Sequence, residues 1–318
     1  DVREGGSLAV VNRGLMTALN RRPGPETQML GASDPVDVWL SHFWTGPDHC
    51  WAPPPPVGIK HWIVLADWEV GPPPQAWRRA WFDPRFRFLV VPSEYTRGLF
   101  LADGWPEARV RVIPYGYDPE VFSPGEPLRR DANFTALFVG GLLHRKGVDL
   151  LYEAWRLAFT ADEPVRLVLK AQGGQTFYKG QEVLPSIGLP GADFRDGDDW
   201  LPEAMANLYR SADVVVQPYR YEGFCLPLLE AMACGIPVIY PGHGPVLEFV
   251  PPTAGLRVPA VDGSVEPEAL ARALRWLFKT GLDERRRMGE AGRAAAERLS
   301  WSTVASRWGD LLEEITHG

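Results

Sequence analysis

The apolar positions of this chain fall into short runs separated by amphipathic stretches, and the alternation is cleanest in the second half. Phe134–Val139 (FTALFV) is a β-rich run ending at Gly140-Gly141, and a helical pattern follows over roughly Val148–Phe159. Val165–Leu169 predicts a second buried strand. A helix over about Leu201–Arg210 leads into Asp213–Gln217 (DVVVQ), a third. Another helix, Leu226–Ala233, stops at Gly235 before Ile236–Tyr240 (IPVIY), a fourth strand. Short strands separated by helices imply right-handed βαβ units on a parallel sheet. The tail from Glu268 is helical, with Leu270, Leu274 and Leu277 on one face, and a last helix starts at Ser302.

The first half follows the same rule less regularly. It predicts a helix over about Ser7–Asn20, strands at Val36–Ser41, Ile59–Ala66 and Phe86–Val91, and a short strand at Arg109–Ile113. Pro53–Pro56 and Pro72–Pro74 lie between them, where proline cannot join a central ladder. Pro119–Asn133 has the proline, glycine and charge content of an interdomain linker. The expected fold class is α/β, with two doubly wound, Rossmann-like domains facing each other across a cleft. The N-terminal domain covers residues 1–125, the linker 119–133 and the C-terminal domain 134–300, while the last helix, 302–318, returns to complete the first domain. A length of 318 residues agrees with two domains of about 100–200 residues each.

Composition narrows the function. The chain is 45% hydrophobic and 23% charged, which excludes a disordered, collagenous or coiled-coil chain. Its 33 basic and 40 acidic residues give a formal net charge of −7, and neither half is basic. A nucleic-acid binder that relies on phosphate neutralisation is excluded. Cys50, Cys225 and Cys234 form neither a disulfide framework nor a metal-ligand spacing. No run reaches the roughly 18 apolar residues that span a membrane, and the start lacks a signal-peptide pattern. The expectation is a cytoplasmic protein, with peripheral contact at the inner face of a membrane left open. The 13 tryptophans are the outlier. Trp39, Trp44, Trp51, Trp62, Trp68, Trp77 and Trp81 crowd into one stretch of the first half, and a buried indole N–H needs a partner.

Doubly wound sheets bind ligands outside the carboxyl ends of their strands, so the residues after each strand carry the chemistry. After Asp213–Gln217 a loop carries Glu222-Gly223-Phe224-Cys225 into the helix from Leu226, with Pro227 expected as its first residue. The helix start aims backbone N–H groups and the positive dipole end beyond the strand, which makes an anion site. Gly223 lets the backbone approach a ligand. Glu230, three residues past Pro227, leans back toward the same place. A carboxylate beside an anion suits a ligand with a diol next to its phosphate, such as a ribose. Taken alone, the residues leave open a plainer reading, with Glu230 a solvated helix residue and Glu222 a loop charge.

Glu222 and Glu230 form an E-x7-E pattern within EGFCLPLLEAMACGIPV, which resembles the donor-site signature of retaining nucleotide-sugar glycosyltransferases of family 4, a family with the GT-B fold. FVGGLLHRKGVDLLYEAW resembles its "VGRL…KG…LL" segment, VVPSEYTRGLF with VRVIPYGYDPEVF its "PS…VIPNGVD…F" segment, and GGSLAVVNRGL its N-terminal glycine loop and first helix. The resemblance implies transfer of a hexose from a UDP- or GDP-sugar to a carbohydrate, lipid-linked or small-molecule acceptor, with retention of configuration. Lys146 would neutralise the diphosphate and Gly223, Phe224, Cys225 and Leu226 would cradle it. Glu230 would hold the ribose hydroxyls and Glu222 the transferred sugar, with Gly6 approaching from the other domain. The leaving diphosphate would take the acceptor's proton, so no cofactor and no essential metal are expected. A sugar-nucleotide epimerase of the same fold, or an inactive sugar-nucleotide binder, is the competing reading.

The chain departs from that pattern at several places. The arginine expected after the first glycine is Gly141, and Arg145 or Lys170, at the end of VRLVLK, is the candidate substitute. The asparagine of "PNG" is Tyr115. A histidine expected at the end of an N-domain strand is replaced by Ala66-Asp67, which makes His42, at the end of VDVWLSH, and Asp67 the candidates for its place. His243, after Ile236–Tyr240, is a further candidate near the donor. The Asp196-Gly197-Asp198 triplet mimics a metal motif of another glycosyltransferase fold but reads as a turn. Trp44, Trp51 and Trp68 are expected in loops after strands, lining the acceptor site, whereas Trp39, Trp62, Trp77 and Trp81 are expected to pack inward. A strand usually precedes the glycine loop, so the first strand is expected to lie before Asp1.

Overall fold

The computed structural model describes residues 7–21, 37–42, 44–45, 50–51, 55–126, 132–171, 189, 191–195 and 200–317. Its contacts divide the chain into two units, Val11–Gly116 with Trp301–Gly318, and Tyr117–Ser300 with Asp1–Val10. Gly6 and Asp196–Asp198 lie outside the described residues.

The first unit contains a parallel sheet of β1 (Val38–His42), β4 (His61–Leu65), β5 (Phe86–Val91) and β6 (Val110–Val112), hydrogen-bonded in that order. Four of the five β4 positions are buried, as expected for a parallel strand covered on both faces. The helix α1 covers Ser7–Asn20. A second helix, α2 (Glu94–Ala102), begins at Ser93, whose side chain accepts from the Thr96 amide and so satisfies one orphan donor of the first turn. Beneath the sheet lies an aromatic core of Trp62, Trp77, Phe86, Phe100 and Trp105, joined mostly by edge-on ring contacts. Trp62 donates its indole N–H to Ser41 Oγ at 2.8 Å. Trp39 and Trp81 pack at the margin of this core.

Trp44 and Trp51 depart from the expected loop placement. They lie in the two-residue strands β2 (Trp44–Thr45) and β3 (Cys50–Trp51), directly paired across an antiparallel hairpin, and their side chains are outside the described set. Antiparallel pairing needs only a short connection, so a segment that looks like loop closes on itself.

The second unit contains six parallel strands in the order β12-β11-β10-β7-β8-β9. These are β7 (Phe134–Val139), β8 (Val165–Lys170), β9 (Ala192–Arg195), β10 (Val214–Val216), β11 (Val238–Pro241) and β12 (Gly255–Val258). They are wound with α3 (Val148–Ala158), α4 (Pro202–Arg210), α5 (Leu226–Ala233), α6 (Pro267–Lys279) and α7 (Leu282–Ala296), while α8 (Trp301–His317) belongs with the first unit. From β7 the chain runs outward through β8 and β9, then returns to β10 on the other side of β7. The gap between the carboxyl ends of β7 and β10 is therefore the topological switch point, where open sheets of this kind bind ligands.

Candidate active site

Two loops meet at that switch point. After β7 the chain makes a tight turn at His144–Lys146, and Gly147 closes it with φ +69°. A β-carbon on Gly147 would run into the Pro218 carbonyl, so only glycine lets the turn lie against the loop after β10. Arg220 latches the two loops. Its amide donates to the Arg145 carbonyl at 2.7 Å, and its guanidinium forks onto Asp149 at 2.8 and 2.7 Å. Gln217 Nε2 donates to the Val139 carbonyl at 2.8 Å, tying the two strand ends directly.

Held this way, Lys146 Nζ donates to Glu222 Oε1, and Arg145 Nη1 lies 3.7 Å from Glu222 Oε2. Glu222 is 6% exposed, so this carboxylate is compensated by two cations in a partly desolvated place. Arg145 thus turns into the site rather than toward solvent. Gly223, Phe224 and Cys225 follow, all buried. Cys225 caps α5 at φ +78°, a left-handed conformation that costs a non-glycine residue about 1–3 kcal/mol. The helix begins at Leu226 as expected, and because Cys225 is its cap, Pro227 takes the second helical position rather than the first.

Glu230 lies one turn into α5 and accepts from the Tyr209 hydroxyl of α4 at 2.7 Å. Burial raises its carboxyl from 4.5 to about 7, with the Tyr209 hydrogen bond pulling more weakly the other way. Burial also pushes the Cys234 thiol up to about 12 and the Cys225 thiol higher still, so neither is a thiolate nucleophile at neutral pH. Lys170 ends β8 beside the Gly140 amide and is 5% exposed. Its Nζ donates to the Ala171 carbonyl at 2.7 Å and sits 5.2 Å from the Trp200 ring centre, so the charge is buried at the carboxyl edge. His243 packs its ring edge-on to Tyr219, whose hydroxyl donates to the His243 carbonyl at 2.9 Å. Among the described residues, no group of three His, Cys, Asp or Glu side chains could hold a metal ion, and no helix is long and apolar enough to cross a membrane.

In the first unit, His42 ends β1 and Asp67 follows β4, so both lie at the carboxyl edge of neighbouring strands. Asp67 Oδ1 accepts from the Tyr115 hydroxyl at 2.5 Å. Trp68 is half-buried, with its ring edge-on to Trp77 and its N–H given to the Gly71 carbonyl at 2.9 Å. The sequence reading missed Arg220, Asp149 and Tyr209 as supports. Asp149 lies inside a motif already quoted and Arg220 just before another, but nothing in the sequence shows that they meet.

The family model described as "Glycosyl transferases group 1" matches residues 123–295, more than half of the chain. The MMP alpha-(1->4)-mannosyltransferase of Mycolicibacterium hassiacum is 32% identical over 206 residues, 63% of this chain and 47% of that protein. The lipopolysaccharide 1,2-N-acetylglucosaminetransferase of Salmonella typhimurium is 26% identical over 245 residues, 71% of this chain and 61% of that protein. The chain therefore spans about half to three-fifths of the length of these relatives. Among solved structures, a glycosyltransferase from Rickettsia africae superposes with a TM-score of 0.69 at 16% identity, covering 98% of this chain and 82% of that one. Anabaena HepE in complex with UDP and glucose superposes at 0.67 with 17% identity, covering 80% and 72%. These neighbours share the GT-B fold, with its parallel α/β sheets. The matched segment contains both loops of the switch point, and the chain belongs to the glycosyl transferases group 1 family.

Proposed function

We propose that this chain transfers a hexose from a nucleoside-diphosphate sugar to an acceptor hydroxyl, with retention of anomeric configuration. The observation that carries this reading is the convergence of Lys146 and Arg145 on Glu222 at the switch point, beside the start of α5. Relatives named as mannosyltransferases and a neighbour bound to UDP and glucose support a nucleotide-sugar donor of the UDP or GDP type.

In this reading Lys146 and Arg145 leave Glu222 for the diphosphate, and Glu222 accepts from hydroxyls of the transferred sugar. The amides from Gly223 to Leu226 cradle the phosphates and Glu230 accepts from the ribose diol. The bond from the anomeric carbon to the diphosphate breaks, and the acceptor oxygen bonds that carbon on the same face. The acceptor's proton passes to the departing phosphate oxygen. The protein positions the partners and stabilises the leaving charge, which needs no side-chain nucleophile. Lys170 supplies the cation missing at Gly141, and Trp68 lines the acceptor side. Incubation with UDP-glucose and GDP-mannose and a panel of acceptors, read by mass spectrometry and anomeric NMR, should yield an α-linked product from an α-linked donor. Turnover of donor to an epimer without acceptor would contradict it.

Three further results are expected. Lys170→Met raises the donor Kd about 10-fold by titration, the loss expected for one charge-assisted contact. Transfer persists in excess chelator, because cationic side chains and the helix start do the work of a metal, and abolished activity would contradict this. Donor affinity rises with pH through about 7, because the ionised Glu230 carboxylate accepts from both ribose hydroxyls. The ligand-free fold has the opposite trend. A raised carboxyl stabilises it fully below about 4.5, and that contribution is lost as pH rises through about 7. Glu230→Gln should flatten both profiles, read by titration and by melting across pH.

A further inference from the structure

Glu230 lies one turn into α5, and one of its two carboxylate oxygens is already engaged. Tyr209 of α4, 21 residues away, donates its hydroxyl to Oε2 at 2.7 Å, and among the described residues no other side chain bonds this acid. Tyr209 is 0% exposed and its ring stands edge-on to Phe122 at 6.0 Å, so the hydroxyl has a fixed direction. The next residue, Arg210, donates to the Ser123 carbonyl at 3.1 Å and locks the end of α4 to the segment that carries Phe122. Glu230 itself is only half-buried, so part of it stays within reach of a ligand.

A fastening between two helices does not call for an acid. Burial raises this carboxyl from 4.5 to about 7, so ionising it in the ligand-free fold is less favourable than in water. A neutral side chain would join α4 to α5 without that penalty. Tyr209 opposes the burial, because its bond favours the charged carboxylate. Burial, then the Glu230 charge, pushes the Tyr209 phenol well above its usual range, so it remains a donor throughout the working pH range. The result is a carboxylate braced from behind, beside the anion-binding start of α5. Of its roughly four acceptor positions Tyr209 takes one, and the others match a ligand with two adjacent hydroxyls.

We propose that Tyr209 is the positioning residue of Glu230, and that the pair makes this site select a ribonucleotide over its 2′-deoxy counterpart. This deepens the proposed function and rests on it. With Oε2 bonded to Tyr209, the carboxylate cannot turn to follow a single hydroxyl. A ligand lacking one member of the diol therefore leaves an acceptor unmatched. Without Tyr209 the carboxylate turns freely, and either nucleotide is held equally well. The other charged or titratable groups around the pair are Cys225 and Cys234 at the two ends of α5, Arg210 of α4 and Arg293 of α7, with Glu222 and Lys146 beyond Cys225.

The test titrates wild type, Tyr209→Phe, Glu230→Gln and the double variant with UDP, GDP and their 2′-deoxy counterparts by calorimetry across pH. Wild type should bind the ribonucleotide about 10-fold more tightly than the deoxynucleotide, the effect of one hydrogen bond to a charged group. In Tyr209→Phe that preference should fall below about threefold. The pH midpoint of binding should also move up, because the lost bond favoured the charged carboxylate. A merely structural role would weaken both nucleotides alike and leave the midpoint in place. In the Glu230→Gln background, the same change should add less than about twofold, since the two residues act as one unit. An unchanged preference or an unchanged midpoint in Tyr209→Phe, or independent effects in the double variant, would overturn the proposal. If Tyr209→Phe melts below assay temperature, the other two proteins decide. Equal affinity of wild type for the two nucleotides, or a full preference in Glu230→Gln, then overturns it. A wild type that binds neither UDP nor GDP would instead defeat the proposed function, which is a distinguishable outcome.

Discussion

Replacing Lys146 by alanine is expected to lower kcat/KM for transfer by about 10²- to 10³-fold, the scale of losing one preorganised charge at a developing oxyanion. The structure explains why Arg145 cannot cover the loss. Its guanidinium stands 3.7 Å from Glu222, farther out than Lys146, and its carbonyl is committed to the Arg220 amide. Removing Lys146 also leaves the nearly buried Glu222 carboxylate of the donor-free protein with one more distant cation, an unfavourable state. Steady-state kinetics with circular dichroism as a fold control checks this. A loss below about threefold would remove Lys146 from the diphosphate.

The second large effect is on stability. Gly147→Ala is expected to cost about 2–4 kcal/mol, because φ +69° disfavours any β-carbon and that carbon would overlap the Pro218 carbonyl. Backbone stands on both sides of the clash, so no side chain can rotate away to relieve it. The turn would separate from the loop after β10, taking Lys146 from Glu222. Urea unfolding should show a lower midpoint at unchanged slope, together with weaker donor binding. A wild-type midpoint would mean that the two loops are not packed as described.

What could be read from the sequence follows what each segment buries. Phe134–Val139 and Leu226–Ala233 were legible to the residue, the first because it is apolar throughout and the second because Pro227 and Gly235 bracket it. Ala192–Arg195 was not, because Asp193 is an ion-pairing residue on an edge strand, bonded to Arg166 and Arg195, and so reads as loop. Within the helical tail, α7 shows little apolar period. It buries Met288, Gly289, Gly292 and Ala296, and a β-carbon on Gly289 would strike the Gly235 carbonyl, so small size does the work that hydrophobicity does elsewhere.

The site divides in the same way. Glu222 and Glu230 could be singled out because they occupy fixed offsets from a strand end and a helix start, whereas Lys146 and Arg145 came only from the resemblance to the family segment. Their supports could not be read, because Tyr209 with Glu230 and Arg220 with Asp149 meet only through tertiary contact across 21 to 71 residues. The tryptophans divide too. Trp62 and Trp77 are core, while Trp68 packs one edge on Trp77 and keeps part of its surface open.

The central claim is that the switch point between β7 and β10 holds a nucleoside diphosphate. Calorimetric titration of wild type, Lys146→Ala and Glu230→Ala with UDP and with GDP tests it most directly. The account predicts saturable binding of at least one of them to wild type, weakened about 10-fold or more in each variant. Binding of neither nucleotide, or equal affinity in all three proteins, would contradict it.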